Sequence, residues 1–137
     1  MTRTIRFAAC LPLLLVLPLL AGCGSKGPEL GKVSGTVHLN KKPLANALVV
    51  FQPEKGGSPS TARTDEEGYY ELMFTADRAG AMLGKHKVTV STYRQESQPN
   101  GTTKEFPETV PAQYTNQLKT PVVKEVSSGS NKIDIEL

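Results

Sequence analysis

The chain has 137 residues, a length that suits one domain, with a formal net charge of +3, two cysteines and no tryptophan. Its longest run of like charge is Asp65-Glu66-Glu67, so the basic stripe expected of a nucleic-acid-binding protein is missing and that class is set aside.

Residues 1–22 read as a secretory signal peptide and are excluded from fold reasoning. Arg3 and Arg6 form a positive start, and an apolar run follows over residues 7–20. That run is shorter than the roughly 20 residues a spanning helix needs, and Pro12 and Pro18 interrupt it. It ends in Leu20-Ala21-Gly22-Cys23, which resembles the lipobox of bacterial lipoproteins. The resemblance implies a diacylglycerol on the Cys23 sulfur and cleavage just before that residue. It also implies lipid anchoring on the exported side of the cell membrane or outer membrane. Small side chains at Ala21 and Gly22 let extended backbone approach a peptidase, and a thiol is the natural nucleophile for alkylation. A diacylglycerol brings two chains, enough for firm anchoring where one is marginal. Cys23 is thus the predicted lipidation site. Without Arg3 and Arg6 the mature chain carries fourteen Lys and Arg against thirteen Asp and Glu, a net of +1. Without Cys10 it has no partner for an internal disulfide. Residues 23–31, rich in glycine, read as a flexible tether.

From Lys32 onward the alternation has the period of a β-strand. Val33, Gly35, Val37 and Leu39 form one face of a first strand, and Asn40-Lys41-Lys42-Pro43 is a turn. Ala47, Val49 and Phe51 are the inner face of a second strand, with Leu48 and Val50 behind them. Residues 61–64 read as a short polar strand at a sheet edge, and Asp65-Glu66-Glu67-Gly68 turns the chain. Tyr70, Leu72 and Phe74 point inward from a fourth strand. Residues 79–84 are a compact connection, with a weak helical period over residues 76–83. His86, Val88 and Val90 then line a long strand reaching toward Tyr93. Residues 94–109, with Pro99, Gly101 and Pro107, read as a long exposed loop, a length unusual in a compact domain unless it is functional or mobile. Val122, Val123 and Val126 mark another strand, although Lys124 stands in phase where an apolar residue is expected. Ile133, Ile135 and Leu137 close the core, with Asp134 and Glu136 outside. About seven short strands with intervening turns predict an all-β, antiparallel sandwich over residues 32–137.

Val33-Ser34-Gly35-Thr36-Val37, Lys42-Pro43-Leu44, Ala47-Leu48-Val49-Val50-Phe51, the run from Thr64-Asp65 through Gly68-Tyr69-Tyr70-Glu71-Leu72, and Gly84-Lys85-His86-Lys87-Val88-Thr89-Val90 occur in that order. The series resembles the carboxypeptidase regulatory-like domain, which implies a transthyretin-like, or prealbumin-like, sandwich. Physical reasons for the same residues can be given independently. Gly68 suits a positive φ in the turn, Asp65 can bond its own turn backbone, and Gly35 inside a strand points to a bulge or a close backbone contact. The sequence departs from the family pattern at Asn40-Lys41, where Asp/Asn-Gly is usual, and at His86, where tyrosine is more frequent.

Candidate chemistry is sparse. His38 and His86 are the only histidines, and the alternation puts them on opposite faces, so no shared metal or acid–base site is expected. Asp65, Glu66 and Glu67 lack the spaced oxygens of a calcium loop. Hydroxyisourate hydrolases share the transthyretin-like fold and end in Tyr-Arg-Gly-Ser, whereas this sequence closes on Asp134-Ile135-Glu136-Leu137. Lys32, Glu71 and Asn131 are conceivable partners for a lysine–asparagine crosslink, but alternation does not turn them inward together. The expectation is a non-catalytic protein without cofactor or metal, a structural or interaction module of the cell envelope. Its partner would be another envelope protein, met at residues 61–64 or 94–109. The alternative is a glycan or small ligand met by Tyr69, Tyr93 or Tyr114.

Overall fold

The computed structural model describes residues 27–137. Residues 1–22, expected to be a signal peptide, and Cys23 lie outside them. Fourteen strands and one short helix follow in order: β1 (Leu30–Leu39), β2 (Lys42–Pro43), β3 (Leu48–Pro53), β4 (Ser60–Arg63), β5 (Tyr69–Glu71), β6 (Met73–Thr75), β7 (Arg78–Ala79), β8 (Ala81–Met82), β9 (Gly84–Ser91), β10 (Arg94–Ser97), β11 (Thr103–Phe106), α1 (Ala112–Thr115), β12 (Val123–Val126), β13 (Gly129–Lys132) and β14 (Ile135–Glu136). Several of them are pieces of one run, so the count exceeds the seven expected.

The fold is an all-β sandwich. One sheet is built around β1, with β8, β5 and β2 antiparallel along one side and β13 and β14 along the other. The second sheet runs β12-β9-β3-β4-β6-β7. Alternation delivers the core as expected: Val33, Val37, Ala47, Val49, Phe51, Tyr70, Leu72, Val88, Val90 and Ile135 are all buried. Phe51 is central, its ring 6.3 Å from that of Tyr70 and 5.8 Å from that of His86. The run from Tyr69 to Thr75 serves both sheets: β5 pairs with β1, β6 pairs with β4, and Leu72 is buried at the crossing.

The turns behave as their chemistry requires. Asn40 and Lys41 have φ of 50° and 65°, the double left-handed conformation of a two-residue hairpin, between Leu39 and Lys42. Asp65 accepts hydrogen bonds from the amides of Glu67 and Tyr69, and Gly68 has φ +77°. Gly35 is where the returning chain comes closest, since a Cβ there would collide with the Ile133 carbonyl. The last run is interrupted at that point, and the Asp134 carboxylate takes over the ladder by accepting from the Thr36 amide and hydroxyl. Those bonds, the amide first, hold the Asp134 carboxyl below its ordinary pKa.

Five expectations are corrected. First, β13 and β14 pair with β1 in parallel, because the chain arrives from β12 on the opposite sheet and has to cross over before it can lie beside β1. Second, residues 61–64 are no sheet edge: β4 is flanked by β3 and β6, and only Thr61 and Arg63 face outward. Third, residues 76–83 form β7 and β8 around Gly80 (φ +111°) instead of helix. Fourth, residues 94–109 contain a hairpin, β10 and β11, where a loop was expected. Fifth, β1 begins at Leu30, and the Pro28 carbonyl accepts from Arg78, so the tether is already held there.

Candidate interaction surface

The sandwich has two poles, and pairing registers assign each feature to one. Gly31 packs beside Val126 and pairs with Ala81, while Val126 pairs with Gly84 at the start of β9. This is the tether pole. From there β9 runs eight residues to Ser91, about 25 Å at the strand rise. Ser91 pairs with Leu48, beside Ala47 and Thr64. The Thr64 hydroxyl accepts from the Ala47 amide and donates to the Leu44 carbonyl, and the Leu44 amide bonds Val37 in the last part of β1. These contacts place Ser91 at the far pole. The β10–β11 hairpin springs from that pole, and its backbone pairs only with itself among the described residues.

An isolated hairpin is barely stable in water, so this one needs support. The first support is Glu108. Its carboxylate accepts from the Ser91 and Thr92 hydroxyls and from the amides of Thr92, Thr109 and Val110. Both ends of the excursion are thereby clasped on one side chain. Partial burial alone would raise the Glu108 pKa, but the donors from Ser91, Thr92 and Val110 outweigh it and hold the carboxyl at about 2. The second support is aromatic. The Arg94 guanidinium lies 3.6 Å from the Phe106 ring centroid and the Lys104 ammonium 4.7 Å from it, while Arg94 also bonds Glu96 at 2.8 Å. On the opposite face the Gln95 amide donates to both the Tyr93 hydroxyl and the Glu105 carboxylate, fixing a tyrosine that is 49% exposed. At the tip, Gly101 with φ +82° and the Asn100 side chain bonded to Thr102 close the turn.

Other singled-out residues scatter. His38, on β1 at the far pole, has Nδ1 3.4 Å from Glu136, too long for a firm hydrogen bond. His86 is fully buried near the tether pole. Burial lowers its pKa, while the Gly84 carbonyl on Nδ1 and the nearby Glu54 charge pull the other way, so it remains a neutral core side chain. The two histidines share no site. Among the described residues no three His, Cys, Asp or Glu side chains gather as a metal site. Lys32, Glu71 and Asn131 line one shallow depression of about 350 Å³, but the Asn131 side chain is engaged with the backbone of Lys32 and Ser127. Tyr69 is 41% exposed, and Tyr114 packs against the core beside β9. Lys124 explains itself: it is half-buried on the edge strand β12, opposite His86, where an inward charge discourages another strand from adding.

Sequence reasoning flagged residues 94–109 but missed Glu108, because its donors lie mainly around position 92 and no local pattern links them.

No family model and no curated protein matches this chain. Among solved structures it is similar to BcpA, the major pilin subunit of Bacillus cereus, at 18% identity and TM-score 0.46, covering 80% of this chain and 30% of that one. A substituted form of the same pilin gives TM-score 0.47 at the same identity and coverage. A 9R-lipoxygenase from Cyanothece PCC8801 is similar at 15% identity and TM-score 0.39, covering 77% of this chain and 16% of the enzyme. The chain therefore spans less than a third of the pilin's length.

Proposed function

We propose that this chain is an exported lipoprotein, cut before Cys23 and lipid-anchored there, whose carboxypeptidase regulatory-like, transthyretin-like sandwich serves as a non-catalytic interaction module of the cell envelope. The observation that carries the reading is the polarity of the fold. The chain joins the sandwich at Leu30, and the clasped hairpin leaves from Ser91 at the other end. An anchor at Cys23 would therefore hold the β10–β11 hairpin away from the bilayer, where it can meet other molecules. The resources invested in rigidity fit that role, because a preformed surface loses little conformational freedom on binding.

A second reading is favoured by Tyr93. Its ring is exposed and its hydroxyl oriented by Gln95, as suits stacking on a sugar of an envelope glycan.

The anchoring claim is tested by fractionating cells that express the parent or Cys23→Ser. The parent should be recovered with membranes as a processed, acyl-labelled band. The variant should lose the label and stay at the size of the uncleaved precursor. Equal processing and equal acyl labelling of the two would overturn it. The glycan reading requires Tyr93→Ala to abolish retention on immobilised envelope glycan, and unchanged retention rejects it.

A further inference from the structure

The free backbone edge of the hairpin has a charge pattern that selects a partner. Arg94 pairs with Phe106 and Glu96 with Lys104, and the amide of Gln98 bonds the Thr102 carbonyl. By alternation the backbone groups of Arg94 and Glu96 therefore face β11, and those of Gln95 and Ser97 face away from it. The outward side of β10 thus offers unused N–H and C=O groups. In the larger run of the second sheet the outer strands are less suited: β12 is blunted by inward Lys124, and β7 has only two residues.

We propose that this edge is a self-association surface, on which a second copy of the chain lays its own β10 antiparallel, centred on Gln95 against Gln95. The two hairpins then form one four-stranded sheet, β11-β10-β10-β11. In this register the two Gln95 residues exchange both backbone hydrogen bonds, Ser97 meets Tyr93, whose amide is directed at Glu108 and whose carbonyl is left to accept, and Arg94 of each copy stands opposite Glu96 of the other. That last pair occupies the non-hydrogen-bonded position, where side chains lie closest. Shifting the register one step either way sets Glu96 against Glu96 or Arg94 against Arg94, so charge admits one alignment and penalises its neighbours. The other strand of the hairpin behaves differently, because pairing β11 with itself around its middle sets Lys104 on Lys104 or Glu105 on Glu105. The Phe106 stack and the Glu108 clasp hold β10 extended before the partner arrives. This contact goes beyond the proposed function and does not depend on the anchor.

Its test is charge reversal with rescue, using the full chain purified in detergent micelles and followed by sedimentation. The parent should show a concentration-dependent dimer. Glu96→Arg, which retains both Arg94 and Phe106 but gives up the Arg94–Glu96 bond, should weaken it about tenfold or more, as should Arg94→Glu. An equimolar mixture of the two variants should recover a mixed dimer, since carboxylates on one copy then face guanidiniums on the other. Gln95→Pro removes the central outward N–H and spares the hairpin's own ladder but also loses the Gln95 side-chain bonds, so it should be monomeric, whereas Gln95→Ala, which loses the same bonds and keeps the N–H, should still dimerise. A parent that stays monomeric up to about 1 mM overturns the proposal, as does a dimer that survives Glu96→Arg or Gln95→Pro. If Arg94→Glu melts the hairpin and the mixture fails for that reason, Gln95→Pro and Glu96→Arg decide alone.

Discussion

Glu108 shows how one exposed carboxylate organises backbone that is far from it in sequence. Five donors converge on it from residues 91, 92, 109 and 110, where water would otherwise have to satisfy them. Glu108→Gln keeps the shape but turns an amide NH2, itself a donor, toward some of those donors, so it should cost about 1–2 kcal/mol in a denaturant melt. The pH dependence has a definite sign. The folded carboxyl titrates at about 2, below an ordinary value of about 4.3 when unfolded, so its contribution is complete above the higher value. It is lost as pH falls through the lower one. Because the side chain is exposed, screening reduces that contribution to about 1 kcal/mol. The parent should therefore lose stability between about pH 4 and 2 more steeply than the Gln variant; parallel acid limbs would reject the assignment. None of this was legible in the sequence, where Glu108 is one polar residue in a polar stretch. Asp65, by contrast, was legible, since its donors are within four residues of it.

At the scale of elements, the hairpin at Asn40-Lys41 and the hairpin β10–β11 differ in how much the sequence declares. The first lies between alternating strands, and its turn was expected, including the departure at Lys41 from the usual glycine. The structure adds the consequence: Lys41 sits at φ 65°, a conformation that costs an ordinary L-residue about 1 kcal/mol. Lys41→Gly should raise stability by about 0.5 kcal/mol, the relief being partly offset by the freer unfolded chain. A melting midpoint higher by about 3 °C would show it, and a lower one would mean that the Lys41 side chain contributes more than its strain. The β10–β11 hairpin declares almost nothing, because no apolar face alternates along it. Its order comes from a cation stacked on an aromatic ring and from a distant carboxylate. The misreading of residues 61–64 has a similar cause. Polarity marks a solvated face, and a strand can have one while being paired on both sides.

At the scale of the molecule, the two sheets are tied by shared segments. The run through Leu72 passes from one sheet to the other, and the final run returns to lie parallel to β1. Gly35 is the point where that return is closest. Gly35→Ala would drive a methyl into the Ile133 carbonyl, which cannot yield without moving the buried Ile135 beside it and the Tyr70 hydroxyl bonded to it. The expected cost is about 3 kcal/mol, a fall of more than about 10 °C in the thermal midpoint. A midpoint unchanged by the substitution would show that the last strand does not dock as described.

The sequence by itself determined the class of the fold, most of the core and the turns, because period-two alternation and the φ demand of Gly68 are local properties. The expectation of lipid at Cys23 rests on the lipobox resemblance of residues 20–23, which lie outside the described residues. Only the tertiary structure decided which strands are edges, the parallel return of the last run, the clasp at Glu108 and the separation of the tether pole from the hairpin pole. Those depend on which segments meet across long stretches of chain, and the free energy that selects a pairing belongs to both partners together, so neither segment shows it alone.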